Sequence, residues 1–591
     1  MVRSPSYSFL GTTVTARTSR PPIDKGRQRY ALLVDSLDDE HEHSVVLGAL
    51  TAAREVDAKL VVVPGGPVDA IDPRLRVNNF AFDLVRPDNV LGVLVLSSAI
   101  GNAIGPTRLE SWLGRYAEMS VCCMGVPIPG YVSVRVDNGG GIREAVNHLI
   151  EVHGKRNIGF IRGPAQSEEA EVRLSAYRDA LVEHGITPDA RWVADGDYNR
   201  PSGSQAVRTI LDQKRVSVHA LDALVCANDY MALGALDELS RRGIQVPEQI
   251  ALTGFDDVAS AAAARPALTT VRQPGSELGR EGLKQLLLLA GGAPNTGERV
   301  LPVDLKVRRS CGCLAMEVGL AERVQAGATP SSFEAALIQR RQLIVAELAR
   351  AALGSFGAGG QDWESALLSA LLEELRESKQ GALSQRVQRL LQKLDQGGSD
   401  LAAAPRVLAT LRRQALPCVA GNPEVRDRLE EAMADAQLVA TAMLSQVAAS
   451  SARAAVSRSR AMSRDVQESM FGKPSAVSRA LAEHLPGLGV DACVVAALAG
   501  KAEQGWLGQV CYGFAPGQGH PEPEALALAS LADHELLQKN RTLFMLPIAL
   551  GSQPLGVAAI SVTAQLASSD LIEDLRELFA VVLKVAQGRH G

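Results

Sequence analysis

Residues able to bind a small polar molecule recur after apolar runs of this chain. Asn228 comes two residues after the run Ala223–Cys226, and Asp256 follows the next run of the same kind. Tyr198 closes a short acidic stretch, and Arg173 lies in a segment with helical spacing. A guanidinium, an amide, a carboxylate and an aromatic ring are the sparse polar set that fixes a small polar ligand in a cleft. The predicted chemistry is therefore recognition through hydrogen bonds.

The sequence lacks the motifs that would indicate catalysis. Gly139–Gly141 is a glycine run without the GxGxxG spacing of a dinucleotide site, and neither a GxxxxGK[ST] phosphate loop nor an HExxH zinc motif occurs. No GxSxG nucleophile elbow and no kinase or diguanylate cyclase signature is found. We therefore expect a protein that is not an enzyme and that needs no cofactor.

Composition sets the broad class. A length of 591 residues predicts two or three domains, and 46% hydrophobic with 21% charged residues is ordinary for globular proteins. The net charge of -5 argues against non-specific binding of nucleic acid or acidic membranes by the whole molecule. Eight cysteines do not make a disulfide framework in so long a chain, and no secretory signal or membrane-spanning run is present. The expected compartment is the cytoplasm.

Short apolar strands alternate with amphipathic helices from Tyr30 onward. This order predicts an α/β fold with parallel sheets covered on both faces, whose ligands lie beyond the carboxyl ends of the strands. Helices are expected at about 44–56, 140–152, 170–184, 203–213 and 230–242. The predicted strands are Ala31–Asp35, Lys59–Val63, Leu91–Leu96, Ser120–Met124, Val132–Val136, Ile158–Ile161, Ala223–Cys226 and Ile250–Thr253.

Six segments, together with the pair His148-Leu149, resemble the effector domain of the LacI/GalR family, in the family's order and spacing over about half the chain. The six segments are Val136–Gly141, Arg156–Ile161, Arg173–Leu181, Ala227–Gly234, Gly254–Asp257 and Pro266–Gln273. The resemblance implies a type I periplasmic-binding-protein-like module over residues 30–313, with two hinged lobes that close on a small ligand.

The resemblance also implies a role for five residues. Arg173 matches the arginine that grips ligand hydroxyls or carboxylates, work that suits its planar fork of donors. Asn228 and Asp256 match two further polar contacts, and Gln273 lies near a hinge crossing. Tyr198 matches a position that often carries an aromatic ring against an apolar face of the ligand.

Each of these residues also has a structural interpretation. Arg173 could pair with an acid on its own helix, and Asn228 or Asp229 could cap the helix that follows. Asp256 could be a turn residue, and Tyr198 could belong to the core.

The segment Ser36–His43, SLDDEHEH, departs from the family pattern, and Gly125 stands where an acid is common. The ligand, and whether one binds at all, therefore stay open. His41 and His43 with their acidic neighbours could bind metal, but a solvated loop is the expectation.

The N-terminus and the end of the module show two further departures. Residues 1–29 read as a disordered basic tail, without the helix-turn-helix that would imply direct DNA contact, although a basic arm on nucleic acid is an alternative. The module ends in Arg308-Arg309-Ser310-Cys311-Gly312-Cys313, which resembles sensor modules fused to signalling proteins. Cys311 and Cys313 could be a redox or metal pair, but two ligands make an incomplete site, so no metal is predicted.

Two further regions follow the module. Residues 314–421 are expected to be a helical bundle or linker, and residues 422–472 a long helix that begins at Asn422 with Pro423 in its first turn. Its apolar positions alternate in steps of four and three, which is typical of a coiled coil. Dimerisation through Val425–Met470 and packing as a monomeric bundle helix are the two alternatives.

Residues 473–591 are similar to a GAF domain, a class that binds small effectors or only dimerises. The similarity rests on Leu546–Leu550 and Gln553–Val557, within two strands joined by a tight turn. A strand at Ala492–Leu498 and a terminal helix complete the predicted unit.

The leading hypothesis is a sensor of a sugar-like or nucleoside-like molecule, which relays lobe closure through the helical segment and the GAF-like domain to a signalling partner. Two alternatives are a transcription regulator that reaches DNA by a non-standard route and a scaffold with a vestigial pocket. A binding assay, a mobility-shift assay and the shape of the cleft would separate the three.

Overall fold

The computed structural model describes residues 29–37, 39–295, 297–313, 332–352, 356, 362–376, 381–396, 401, 403–419, 421–469, 474–502, 505–515, 524–540, 542–562 and 569–588. The predicted basic tail, Asp38 and the segment 314–331 lie outside these residues, apart from Arg29. The chain divides into two compact units, one of Met1–Ala315 with Arg458–Gly591 and one of Met316–Ser457.

The first lobe is built mainly from the residues before 137. Its apolar strands are buried almost throughout, as expected for a parallel sheet covered on both faces. The elements are β1 (Arg29–Val34), α1 (Glu40–Glu55), β2 (Lys59–Pro64), α2 (Pro73–Arg76), β3 (Gly92–Leu96), α3 (Ser97–Ile100), α4 (Gly105–Leu113), β4 (Ser120–Met124) and β5 (Val132–Val136).

The second lobe follows after a crossing at Asp137. Its elements are α5 (Asn138–Glu151), β6 (Ile158–Arg162), α6 (Glu168–Glu183), β7 (Val193–Asp195), α7 (Arg200–Arg208), β8 (Ala223–Cys226), α8 (Asp229–Arg241), β9 (Ala251–Asp256), α9 (Ala259–Ala263) and β10 (Thr269–Arg272).

The chain crosses between the lobes three times. It returns to the first lobe with α10 (Gly275–Ala290) and β11 (Glu298–Leu301) and ends in the second lobe with β12 (Asp304–Lys306). The first-lobe strands run β11-β5-β4-β3-β1-β2, all parallel, and the second-lobe sheet runs β12-β10-β9-β8-β6-β7 with only the β10–β12 pair antiparallel. The predicted α/β fold with parallel sheets is confirmed.

The second compact unit is helical in its described residues. One apolar cluster is shared by its helices, from Leu337 to Ala440. The helices are α11 (Phe333–Gln339), α12 (Arg341–Ala352), α13 (Trp363–Leu375), α14 (Ala382–Gln396), α15 (Ala404–Val419) and α16 (Pro423–Ser469), of which α16 runs beyond this unit.

The long helix α16 begins where the sequence predicts, because the side chain of Asn422 accepts a hydrogen bond from the backbone of Val425 at 3.2 Å. The first half of the predicted coiled-coil seam is buried in the apolar cluster of this chain's own helices, as at Leu429 and Ala436. The monomeric alternative describes these positions, and dimerisation through Val425–Met470 stays a prediction. Met470 lies outside the described residues.

The C-terminal residues add five strands to the first lobe. The elements of this C-terminal region are α17 (Pro474–His484), β13 (Val490–Ala502), β14 (Gly505–Phe514), β15 (Ala525–Ala527), β16 (Thr542–Leu550), β17 (Gln553–Val562) and α18 (Ser569–Gly588). The sheet continues past β2 as β16-β17-β13-β14-β15, so eleven strands form one sheet.

The joining pair, β2 with β16, is parallel, with Leu543 opposite Val61. Apolar clusters on both faces of the sheet contain residues from the first lobe and from the C-terminal strands. The GAF-like assignment of 473–591 and the other domain bounds remain predictions. Among the described residues, no helix is long and apolar enough to cross a membrane.

Candidate functional site

The five residues predicted to contact a ligand meet at one end of the second lobe. Arg173 lies on α6, and the other four lie at or just after the carboxyl ends of β7, β8, β9 and β10, which belong to one sheet. Asn228 donates from Nδ2 to the backbone oxygen of Tyr198 at 3.0 Å, and Gln273 donates to Asp256 Oδ1 at 2.6 Å. The structure therefore brings the predicted set together.

The buried guanidinium of Arg173 is at the centre of the set. Its Nε donates to Asn138 Oδ1 at 2.8 Å, and one terminal nitrogen donates to the backbone oxygen of Ala227 at 2.6 Å. The guanidinium carbon lies 4.0 Å from the centre of the Phe255 ring, a cation–π distance. These contacts fix the plane of the guanidinium. Asn138 is the first residue of α5, directly after the crossing at Asp137.

Tyr198 combines core packing with a place near the arginine. Its backbone has a φ of 53°, and its hydroxyl lies 3.2 Å from Ser167 Oγ. The ring occupies the space beside Gly163, where a Cβ atom would come within 2.3 Å of it. Burial is the main cause that raises the pKa of Tyr198 to about 12, so the hydroxyl is neutral at physiological pH.

Asn228 has the helix-capping geometry that the sequence left open. Its Oδ1 accepts from the backbone of Met231 at 2.9 Å, which caps α8. Because Nδ2 bonds to Tyr198, the side chain also ties two loops together. A direct contact between Asn228 and a ligand stays a prediction.

Asp256 is held in an uncommon backbone conformation at the end of β9. Its φ is 119° and that of Asp257 is 63°, values that cost free energy in residues other than glycine and that cluster at functional sites. Burial raises the pKa of Asp256 well above its usual range; Asp229 and Asp39 raise it further, and Arg173 opposes them. Asp257 pairs with Arg272 and Arg308.

The first lobe contributes acidic and histidine side chains from the start of α1. Glu40 accepts a hydrogen bond from the backbone nitrogen of Ala259, in the second lobe, at 2.6 Å. Burial lowers the pKa of His41, with Asp39 and Glu169 opposing it. Asp39 belongs to the first lobe, whereas Glu169 lies on α6 of the second lobe. Charged groups of both lobes therefore act on the pKa of His41.

Sequence reasoning treated this segment as a solvated loop and missed its contribution. The structure starts α1 at Glu40, and Asp39 caps it by accepting from the backbone of His41 and Glu42 at 2.9 and 3.0 Å. Glu42 is buried, and burial together with Asp35 raises its pKa. The spacing of Asp39 and Glu42 resembles that of a capping box, which was the available signal. Asn138 was missed as well.

A small cavity has lining residues from both lobes. It is lined from the first lobe by Ser97, Gly101, Asn102, Gly105, Pro106, Leu109 and Val126 and from the second by Gln166, Ser167 and Glu168. Among described residues, the donors of His41, His43 and their acidic neighbours do not form a metal-binding group.

A family model for a periplasmic binding protein-like domain matches residues 146–311. The HTH-type transcriptional repressor CytR of Escherichia coli K12 is 36% identical over 183 residues, 31% of this chain and 52% of that protein. The HTH-type transcriptional regulator CelR of Thermobifida fusca is 38% identical over 188 residues, 32% of this chain and 54% of that protein. A solved CelR–cellobiose complex is 30% identical and covers 48% of this chain and 85% of that chain, with a TM-score of 0.42.

The chain spans about half the length of the curated relatives that it matches. The matched segment contains Arg173, Tyr198, Asn228, Asp256 and Gln273. With the two-lobed α/β fold, the family model indicates a periplasmic-binding-protein-like domain in this chain, and its sequence is similar to part of the HTH-type regulators CytR and CelR.

Proposed function

We propose that this protein is a ligand-responsive regulator and not an enzyme, in which a small sugar-like or nucleoside-like molecule binds between the two lobes. The main support is the position of Arg173, which is buried at the cleft and bonded to Asn138 at a lobe crossing. A ligand that contacts Arg173 would therefore act, through Asn138, on the first turn of α5, where the chain crosses between the lobes. Differential affinity for the closed arrangement would then shift the equilibrium between open and closed lobes.

The charges of the cleft favour a neutral ligand. Asp39, Glu40 and Glu169 place acidic side chains at the cleft together with the guanidinium of Arg173, a planar set of donors that suits hydroxyl groups. An anionic phosphate would be repelled by these carboxylates. We therefore expect neutral saccharides or nucleosides to bind better than their phosphorylated forms.

Relay of the signal follows from the shared sheet. Because β16 pairs with β2, the first lobe and the C-terminal strands would move as one body when the second lobe closes. Several side chains reinforce this join: Arg29 pairs with Asp533 at 2.7 Å, and Asn89 donates to the backbone of Ala529 at 2.8 Å. We propose that the C-terminal residues form a GAF-like domain. This domain would transmit the conformational change of lobe closure to a partner protein.

Regulation of transcription is the second candidate, and the names of the HTH-type relatives favour it. Direct DNA contact therefore stays among the possibilities to test. A mobility-shift titration at several salt concentrations decides it, since a phosphate-contacting protein loses affinity steeply as salt rises.

The test of ligand sensing is thermal unfolding of the full chain against a panel of neutral sugars, nucleosides and their phosphates. We expect at least one neutral compound to raise the melting temperature of the wild type, and Arg173→Ala to abolish that shift. Arg191→Ala removes an exposed arginine and should retain it. No shift with any compound would support the scaffold alternative with a vestigial pocket.

A further inference from the structure

Four metal-ligating side chains converge at the far end of the second lobe, away from the cleft. His148 lies in the last turn of α5 and His153 just beyond it, whereas Cys311 and Cys313 close the sensor domain. Their ligand atoms all lie within 4.8 Å of one another. The sequence offered only the cysteine pair, and the fold supplies two histidines from more than 150 residues earlier.

Three distances between histidine and cysteine ligand atoms suit one tetrahedral ion. Cys311 Sγ lies 3.4 Å and Cys313 Sγ 3.7 Å from His148 Nε2, and Cys313 Sγ lies 3.4 Å from His153 Nε2. Zinc bonds of about 2.3 Å to sulfur and about 2.05 Å to nitrogen, at tetrahedral angles, separate the two ligand atoms by about 3.6 Å. The observed separations lie on both sides of that value.

The backbone around the cysteines supports the same arrangement. Gly312 has a φ of 109°, and a Cβ atom there would come within 3.3 Å of the His153 ring. Glycine therefore allows the chain to turn between the cysteines against that ring. The preceding Ser310 is buried, accepts from the backbone of Thr269 at 2.8 Å and donates to the backbone of Leu252 at 2.6 Å, which fixes the position of Cys311.

We propose that His148, His153, Cys311 and Cys313 form a structural zinc site. Two thiolates and two imidazoles are the ligand set that favours Zn²⁺ in tetrahedral geometry, and four protein ligands leave no open position for catalysis. The ion would fasten the last residues of the sensor domain to the end of α5. It would thus fix the point from which the chain leads to residues 314–331.

Metal analysis of the full chain, purified under reducing conditions, tests this site. We expect roughly one equivalent of zinc per chain, lost in Cys313→Ser and in His153→Asn. Cys418→Ser and His184→Asn are the matched controls, since both wild-type residues are partly buried and lie outside the cluster. The controls should keep the metal.

Co²⁺ added to the metal-depleted wild type provides a second readout that does not depend on the folding of variants. A tetrahedral cobalt–thiolate absorption spectrum, together with a higher melting temperature, is expected. The proposal is overturned if the wild type binds neither Zn²⁺ nor Co²⁺, if Cys311 and Cys313 are found joined as a disulfide without metal, or if Cys313→Ser binds metal as the wild type does. None of these outcomes depends on whether the cleft binds a sugar.

Discussion

Glu40 of the first lobe and Ala259 of the second are joined by a 2.6 Å hydrogen bond from a backbone nitrogen to a carboxylate oxygen. This bond exists only while the lobes are close together, because its two partners belong to different lobes. Hydrogen bonds to charged groups contribute more than neutral ones, although exposure of Glu40 to solvent reduces the effect.

Glu40→Ala is therefore expected to weaken binding of a cleft ligand about fivefold, which corresponds to about 1 kcal/mol. Isothermal titration with a ligand found in the thermal panel measures the loss. The control is Glu55→Ala on the same helix, because Glu55 pairs with Arg280 inside the first lobe. Equal losses in both variants would argue against a bond between the lobes that favours closure.

Asn138→Ala is expected to destabilise the second lobe by about 2 kcal/mol. The variant leaves the Nε of buried Arg173 without its acceptor and removes the donor to Glu169 Oε1 at 3.2 Å. Hydrogen exchange followed by mass spectrometry should show faster exchange around α5 and α6. The control is Asn147→Ala on the same helix, whose side-chain oxygen lies 3.1 Å from His184 Nε2. This variant should change the exchange rates less. Unchanged exchange in Asn138→Ala would contradict this account of Arg173.

Asp229 should make stability depend on pH. Burial is the main cause that raises its pKa to about 7, although Thr270 Oγ1 and the backbone of Val258 donate to it. Between about pH 4 and 7 the folded chain keeps a proton that the unfolded chain has lost, so the folded state loses stability as pH rises through this window.

Asp229→Asn removes this titration while keeping a side chain of similar shape. Its stability relative to the wild type should therefore increase from pH 4 to pH 7, by on the order of a few kcal/mol. Urea unfolding of both chains at several pH values measures the difference. A difference that stays constant over this range would show that the carboxyl does not titrate there.

The joined sheet predicts that β2 and β16 resist hydrogen exchange together. Phe544 is buried in β16 opposite Val62, and Phe544→Ala should cost about 3 to 5 kcal/mol. Exchange should then become faster in both strands. Phe160→Ala empties a similar volume in the second lobe and should leave β2 and β16 unchanged. Faster exchange in β16 alone would mean that the two strands are not coupled.

The amino-acid sequence determined the local elements closely. The strands Ser120–Met124, Val132–Val136 and Ala223–Cys226 have the predicted bounds, and α16 starts after the predicted cap at Asn422. Apolar runs and caps are set by residues near one another in the chain, so a single sequence displays them. The first turn of α1 was missed because its charged residues do not show an apolar period.

The tertiary structure alone decided which distant residues meet. His148 and His153 reach Cys311 and Cys313 because α5 and the end of the domain pack on the same sheet, and no local pattern shows this. In the same way, β16 lies beside β2 although the end of β2 at Pro64 and the start of β16 at Thr542 are 478 positions apart in the sequence. Strand pairing and side-chain clusters are contacts between parts of the chain that are far apart in sequence. The sequence of one strand or helix is compatible with several neighbours, and only the packing of the whole fold determines which neighbour it contacts.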